Sequence, residues 1–239
     1  MDRNSNGYTF MFAAIMVAVV GALLALASTS LKDLQDENVK KEKMQNILAS
    51  VGVIVEREDA PNQFKTVIKQ QLALKVDGSV DESTSAFDID LKSELSKKVE
   101  EQRFPLYVAE QDGQKFYIVP LRGAGLWDAI WGYVALEEDL NTIKGTVFDH
   151  KGETPGLGAE ITQKWFQDRF IGEKIMNSSG EIVGVAVAKG NTSQSKDDNK
   201  VDAISGSTIT GNGVTEMIKE RLSNYKNYFA KQKKLALNN

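Results

Sequence analysis

The sequence predicts an α+β protein: one N-terminal membrane-spanning helix, followed by a single globular domain whose mainly antiparallel sheet is flanked by helices. Three observations predict it. No charged residue occurs from Tyr8 to Ser30. Two strand-like runs, Phe104 to Ala109 and Lys115 to Pro120, are joined across Asp112-Gly113, a strong hairpin signal. Val214, Met217, Ile218, Leu222, Tyr225 and Phe229 recur at helical spacing near the C-terminus.

The uncharged N-terminal run is long enough to cross a bilayer core, which takes about 20 apolar residues as helix. A cleaved signal peptide is the rival reading, since Ala25-Leu26-Ala27 has the form of a small-x-small cleavage site. The mixed charge of Met1-Asp2-Arg3 and the length of the apolar run favour a retained anchor. Charge alone leaves the orientation open. Lys32, Lys40, Lys41 and Lys43 follow the run, but Asp33, Asp36, Glu37 and Glu42 lie among them.

The domains expected are therefore an N-terminal tail and anchor over 1–30, a connecting helix over 31–60, and the globular domain over 61–239. Leu31, Leu34, Met44, Ile47, Leu48 and Val51 fit a helix that leaves the membrane and docks on the globular part. Asp77-Gly78 and the polar run Asp81 to Ser85 read as loop, and Leu91 to Val99 as a short amphipathic helix. Thr142 to His150 and Ile182 to Ala188 read as further strands. A polar loop over 190–200 leads into the last helix, expected over Gly211 to Phe229.

Composition excludes several kinds of chemistry. With no cysteine and one histidine, His150, the 239-residue chain has no disulfide, thiolate nucleophile, iron-sulfur ligand set or histidine metal cluster. A net charge of −4 argues against a nucleic-acid partner. Redox chemistry here requires an organic cofactor.

Three stretches stand apart from ordinary core. Gly125-Leu126-Trp127 combines flexible backbone with a large flat side chain. Glu153-Thr154-Pro155-Gly156-Leu157-Gly158 is a tight turn holding an acid, a hydroxyl and an apolar residue together. Asp202-Ala203-Ile204-Ser205-Gly206-Ser207-Thr208-Ile209-Thr210 crowds hydroxyls and glycine at a helix entrance, where outward amides and the positive dipole end favour an anion. An ordinary Ser/Thr-capped helix start would leave the same residue types there, and a tryptophan such as Trp127 or Trp131 is more often plain core. Gly123-x-Gly125 lacks the third glycine of a dinucleotide fingerprint.

Taken in order, these stretches resemble the extracytoplasmic FMN-binding domain family, over nearly the whole chain. The resemblance implies that a flavin transferase, using FAD and Mg2+, esterifies FMN phosphate onto Thr208. It places Asp202, Ser205, Gly206, Ser207 and Thr210 around that acceptor. The family most often has alanine where this chain has Ser207, which opens the alternative of modification at Ser207. Trp127 and Leu157 are implied as flat contacts to the flavin, and Glu153, Thr154 and Gly158 as its polar and close-approach neighbours. No catalytic acid, base or nucleophile and no metal ligand is implied.

The function implied is that of a covalent-FMN electron carrier, anchored in the bacterial inner membrane with its domain on the periplasmic side. It would work beside other subunits of a complex that oxidises NADH, reduces a quinone and moves Na+. Two alternatives stand beside it: the G subunit of the Rnf ferredoxin:NAD oxidoreductase, and, from another class, a membrane-tethered flavin-binding or sensor module.

Overall fold

The computed structural model describes residues 5–190, 195–196 and 198–237. The tail 1–4 and part of the 190–200 loop lie outside the described residues. The chain forms two compact units, Met1–Lys43 and Met44–Asn239.

The first unit is helical, part of the 45-residue helix α1 (Asn6–Ser50), which is long and apolar enough to cross a membrane. A helix is what such a run must form in lipid, because it satisfies its own backbone hydrogen bonds. The hydroxyls that end the run are satisfied too: Thr29 Oγ1 donates to Ala25 O (2.8 Å) and Ser30 Oγ to Leu26 O (2.7 Å).

The second unit is built on a five-stranded antiparallel sheet whose strands follow chain order. They are β1 (Ile68–Leu74), β2 (Phe104–Gln111), β3 (Gln114–Ala124), β4 (Ala129–Leu136) and β5 (Ile143–His150). Gln111 pairs with Gln114. Asp112 and Gly113 are left as a two-residue loop at φ 50° and 77°, as a tight hairpin requires.

Both faces of the sheet are buried, and the strands alternate between them. Leu106, Val119, Leu121, Ile130 and Val134 join one core with Phe166 of the short helix α4 (Lys164–Gln167) and with Val214, Met217, Ile218 and Leu222 of α5 (Thr208–Ser223). Tyr107, Ala109, Ile118, Tyr133 and Ala135 join the other with Ile47, Leu48 and Val51, and with Phe64 and Val67 of α2 (Ala60–Val67). Each such Val, Leu, Ile, Met or Phe side chain contributes about 1.5–3 kcal/mol on burial. A helical i,i+4 ion pair such as Glu37–Lys41 contributes only about 0.3–0.5 kcal/mol. Apolar burial therefore dominates what holds Ile47, Leu48 and Val51 in place.

Four local expectations are revised. Leu91–Val99 is not one helix: α3 covers Leu91–Glu94, and a 3₁₀ turn follows at Val99–Glu101. Glu94 explains the break, since its carboxylate accepts Lys97 Nζ (2.6 Å) and the amide of Arg103 (2.9 Å) and folds the chain back. Only Ala186–Ala188 of the stretch 182–188 is strand (β6), paired in parallel with β7 (Lys200–Asp202). Before it, Gly184 turns the backbone at φ +72°, and the amides of Val183 and Gly184 share one carbonyl, that of Ile175. The last helix starts earlier than expected, at Thr208, and breaks after Ser223 before α6 (Lys226–Leu237). At the break Tyr225 is buried, with its hydroxyl donating to Pro105 O (2.7 Å). Finally, β1 and α2 have no counterpart among the elements expected from the pattern of residues.

Candidate functional site

The meander brings two of the three marked stretches to the same end of the sheet. β3 ends at Ala124 and β4 begins at Ala129, so Gly125–Asp128 is their turn, closed by Gly125 N–H donating to Asp128 O (2.8 Å). β5 runs back along β4, with Ile130 opposite His150 and Lys151 N–H donating to Ala129 O (3.0 Å). Residues 152–158 therefore emerge beside that turn. Lys151 Nζ bonds Asp128 Oδ2 (2.8 Å) across the gap, which with the Ala129 amide holds the Asp128 carboxyl below the usual range.

The third stretch arrives on α5, which lies against β3 with glycine on both sides of the contact. A Cβ on Gly123 would stand 2.7 Å from Met217 Cβ, and one on Gly213 would overlap Ala124 O. No larger residue fits at either position without a shift of the helix.

Glu153 joins all three stretches. It is 4% exposed. Its Oε1 accepts the amide of Trp127 (3.0 Å) and its Oε2 accepts the hydroxyl of Thr210 (2.6 Å), while its own amide donates to His150 Nδ1 (3.1 Å). Gly125 and Gly158 are small because a Cβ on either would overlap these carboxylate oxygens. Thr154 extends the junction: its Oγ1 accepts Trp127 Nε1 (3.1 Å), and its carbonyl accepts the amides of Leu157 and Ala159, each at 3.1 Å.

Around this junction lies an open pocket of about 210 Å³, lined by Leu126, Glu153, Thr154, Leu157, Gly158, Gly206, Ser207, Thr208, Ile209 and Thr210. Its apolar wall is Leu126, Leu157 and Ile209, each more than a third exposed. Its polar end is the start of α5. Gly211 N–H donates to Ser207 O (2.9 Å) as the first helical bond, and no side chain caps the terminus. The amides of Thr208, Ile209 and Thr210 are therefore the outward donors of a helix start, which removes the reading of an ordinary Ser/Thr cap. Thr208 is exposed; Ser207 is buried, and its Oγ has no hydrogen-bond partner. Gly206 has φ +76°, and a Cβ there would stand 2.8 Å from Leu157 Cδ2, so only glycine lets this loop pass the apolar wall.

Eight of the residues marked in the sequence thus line one pocket: Glu153, Thr154, Leu157, Gly158, Gly206, Ser207, Thr208 and Thr210. Trp127 sits at its edge, 69% exposed and so not core, tied through Glu153 and Thr154. Asp202 and Ser205 are outside the lining. The backbone of Asp202 ends β7, and its carbonyl accepts Arg169 Nη1 (2.6 Å), whose guanidinium lies 4.7 Å from the centre of the Trp165 ring. Arg169, Leu126 and Ile209 were missed in the sequence. Leu126 and Ile209 are apolar residues inside stretches marked for other reasons, and that mismatch was their available signal.

The arrangement fits a phosphorylated flat molecule: hydrogen-bond donors and an accessible hydroxyl at one end, and an exposed apolar wall beside them. Among the described residues no group of three or more His, Asp or Glu is placed to hold a metal ion. Fold and pocket define a protein with an FMN-binding domain, and residues 125–223 match the family model of that description, "FMN-binding domain".

Whole-chain relatives narrow the class. The C subunit of the Na(+)-translocating NADH-quinone reductase of Yersinia pestis is 30% identical over 234 residues, 89% of this chain and 87% of that protein. The protein of the same name from Haemophilus ducreyi is 27% identical, over 91% of this chain and 90% of that one. The crystal structure of the corresponding C subunit from Parabacteroides distasonis superposes with a TM-score of 0.76 at 41% identity, covering 83% of this chain and 96% of that one. Shewanella oneidensis NqrC gives 0.71 at 26% identity, over 82% and 98%. The chain belongs to the family of C subunits of the Na+-translocating NADH-quinone reductases.

Proposed function

We propose that this chain is the FMN-carrying subunit of a Na+-translocating NADH-quinone reductase, and that FMN is held by a phosphoester to Thr208. The single observation that carries the attachment is the contrast between adjacent hydroxyls. Thr208 is exposed at the uncapped start of a 16-residue helix and lines the pocket, whereas Ser207 beside it is 5% exposed. Only the Thr208 hydroxyl is open to a second enzyme, which argues against Ser207 as acceptor.

Attachment by a flavin transferase balances as phosphoryl transfer from an anhydride to a hydroxyl. Thr208 Oγ1 bonds to the phosphorus on the FMN side of FAD, the pyrophosphate bond breaks, AMP leaves, and the hydroxyl proton is released. The product phosphodiester keeps one negative charge, favoured by the amides of Thr208, Ile209 and Thr210 and by the dipole of α5.

Bound FMN supplies the electron transfer itself; the protein supplies position and electrostatics. Leu126, Leu157 and Ile209 offer the apolar wall, and Trp127 a flat edge. Glu153 braces the relative placement of the three stretches through both carboxylate oxygens, and it lines the pocket with an acceptor site left on each oxygen. The apolar helix fits a membrane-anchored protein. The domain is placed on the periplasmic side because flavin transfer of this kind is extracytoplasmic, and the other subunits of the reductase are the electron partners.

Intact-mass measurement of the full chain, made in cells with the transferase, tests the attachment. The expected result is a gain equal to one FMN phosphoester and a fluorescent band in denaturing gels, both abolished by Thr208→Val. An unmodified mass in the unmutated chain, or fluorescence that survives Thr208→Val, refutes the assignment. Co-purification tests the complex: recovery with a multi-cysteine polyferredoxin in place of the quinone-reductase subunits would overturn it.

A further inference from the structure

The start of α5 holds one donor more than attachment requires. Ser207 is 5% exposed, and its Oγ is buried with no hydrogen-bond partner, yet the residue lines the same pocket as Thr208. It does not serve as a helix cap: its backbone is at φ −113° and ψ 39°, and its side chain makes no capping bond. Nor does the neighbouring carboxylate receive it: the oxygens of Glu153 bond the Trp127 amide and the Thr210 hydroxyl, and neither bonds Ser207 Oγ. A buried hydroxyl left unpaired destabilises the fold that contains it. The outward amides of Thr208, Ile209 and Thr210 are donors of the same kind at the same place. What this set lacks is an acceptor, and an anion is the acceptor a helix start favours.

We propose that the Ser207 hydroxyl is a hydrogen-bond donor to the phosphate carried on Thr208. This rests on the reading of Thr208 as the attachment point and adds a role that attachment alone does not require. Turned by rotation of its side chain from its buried position toward the pocket, Ser207 makes with the three amides a cradle of four donors around an oxygen-rich anion joined to the very next residue. Bonds to a charged acceptor are roughly twice as strong as neutral ones. The hydroxyl therefore destabilises the unloaded chain and stabilises the loaded one. Loading completes the local hydrogen bonding and locks the first turn of α5.

Four samples of the full chain in detergent test this: unmutated and Ser207→Ala, each with and without co-expressed transferase. Intact mass scores the loading, and thermal unfolding scores stability. Alanine removes the hydroxyl and adds no bulk, so both chains are expected to load. The expected result is a smaller rise in Tm on loading for Ser207→Ala, by about 2–6 °C for a domain of this size. An equal rise in the two chains overturns the proposal, because a merely structural hydroxyl shifts both states alike. Loading of the unmutated chain but not of Ser207→Ala also overturns it, by making the hydroxyl a requirement of transfer. Absence of FMN mass in the unmutated chain refutes the Thr208 attachment itself, which separates the two failures.

Discussion

Replacing Glu153 by alanine removes the brace between the three stretches, and the structure sets the size of the loss. Thr210 is 1% exposed, so depriving its hydroxyl of the Glu153 acceptor costs about 1–3 kcal/mol. The Trp127 amide sits in an exposed turn and recovers part of its loss from solvent, for a further cost of about 0.5–1 kcal/mol. The sum is about 1.5–4 kcal/mol. For a unit of this size that corresponds to a fall of roughly 5–12 °C in Tm, read by thermal unfolding of the full chain in detergent. Glu153→Gln keeps one acceptor and meets the rotatable Thr210 hydroxyl with a donor, so it is expected to lose less than half as much. Gly158→Ala supplies the cross-check. Its Cβ would overlap Glu153 Oε2 and Thr210 Oγ1, so its cost should shrink by more than about 1 kcal/mol once Glu153 is alanine. Equal losses for the glutamine and alanine variants, or strict additivity with Gly158→Ala, would refute the brace.

Tyr225→Phe removes a buried bond to Pro105 O and is expected to cost about 1–2 kcal/mol in urea unfolding; a change below about 0.3 kcal/mol would show the bond to be dispensable. Trp127→Phe loses only the exposed contact with Thr154 Oγ1, so its unfolding free energy in urea should match the unmutated chain to within about 0.5 kcal/mol, while the flavin fluorescence of the loaded protein changes. Glu173 is 2% exposed, and burial raises its pKa above the usual 4.5 despite the Lys196 ammonium at 3.1 Å. A carboxyl whose pKa is raised by folding stabilises the native state below the unfolded value, and that contribution is lost as pH rises through the folded one. Glu173→Gln should therefore flatten the part of the Tm-against-pH curve that falls as pH rises above about 4.5; an unchanged slope would show that another group sets it.

The strands carrying the site were legible where alternation and turn chemistry agreed, as in β2 and β3 on either side of Asp112-Gly113. β1 was not, because its exposed Lys69, Gln70 and Gln71 mask the two-residue period and a bulge follows Ile68. β6 was overestimated for the opposite reason: Ile182 to Ala188 is apolar throughout, but Gly184 sits at a φ that ends regular strand. In the site, hydroxyls and glycines declared themselves by type and crowding. The brace role of Glu153 did not, since it depends on partners 26 residues before it and 57 after it. Arg169 was invisible for the same reason, its target being a backbone carbonyl 33 residues away.

The glycine contacts between α5 and β3 bear on what a carrier of electrons must do. Each electron that arrives or leaves changes the local charge, and any protein rearrangement that follows adds to the barrier for the next transfer. At Gly213 the helix backbone rests directly on the carbonyl of Ala124, with no intervening side chain to re-pack, and at Gly123 only the Met217 side chain lies between strand and helix. Thr208, five residues before Gly213 on that helix, is therefore mounted on backbone held by backbone. For a flavin held there as proposed, such a mount would keep the reorganisation energy small, because the polar groups are in place before the charge arrives.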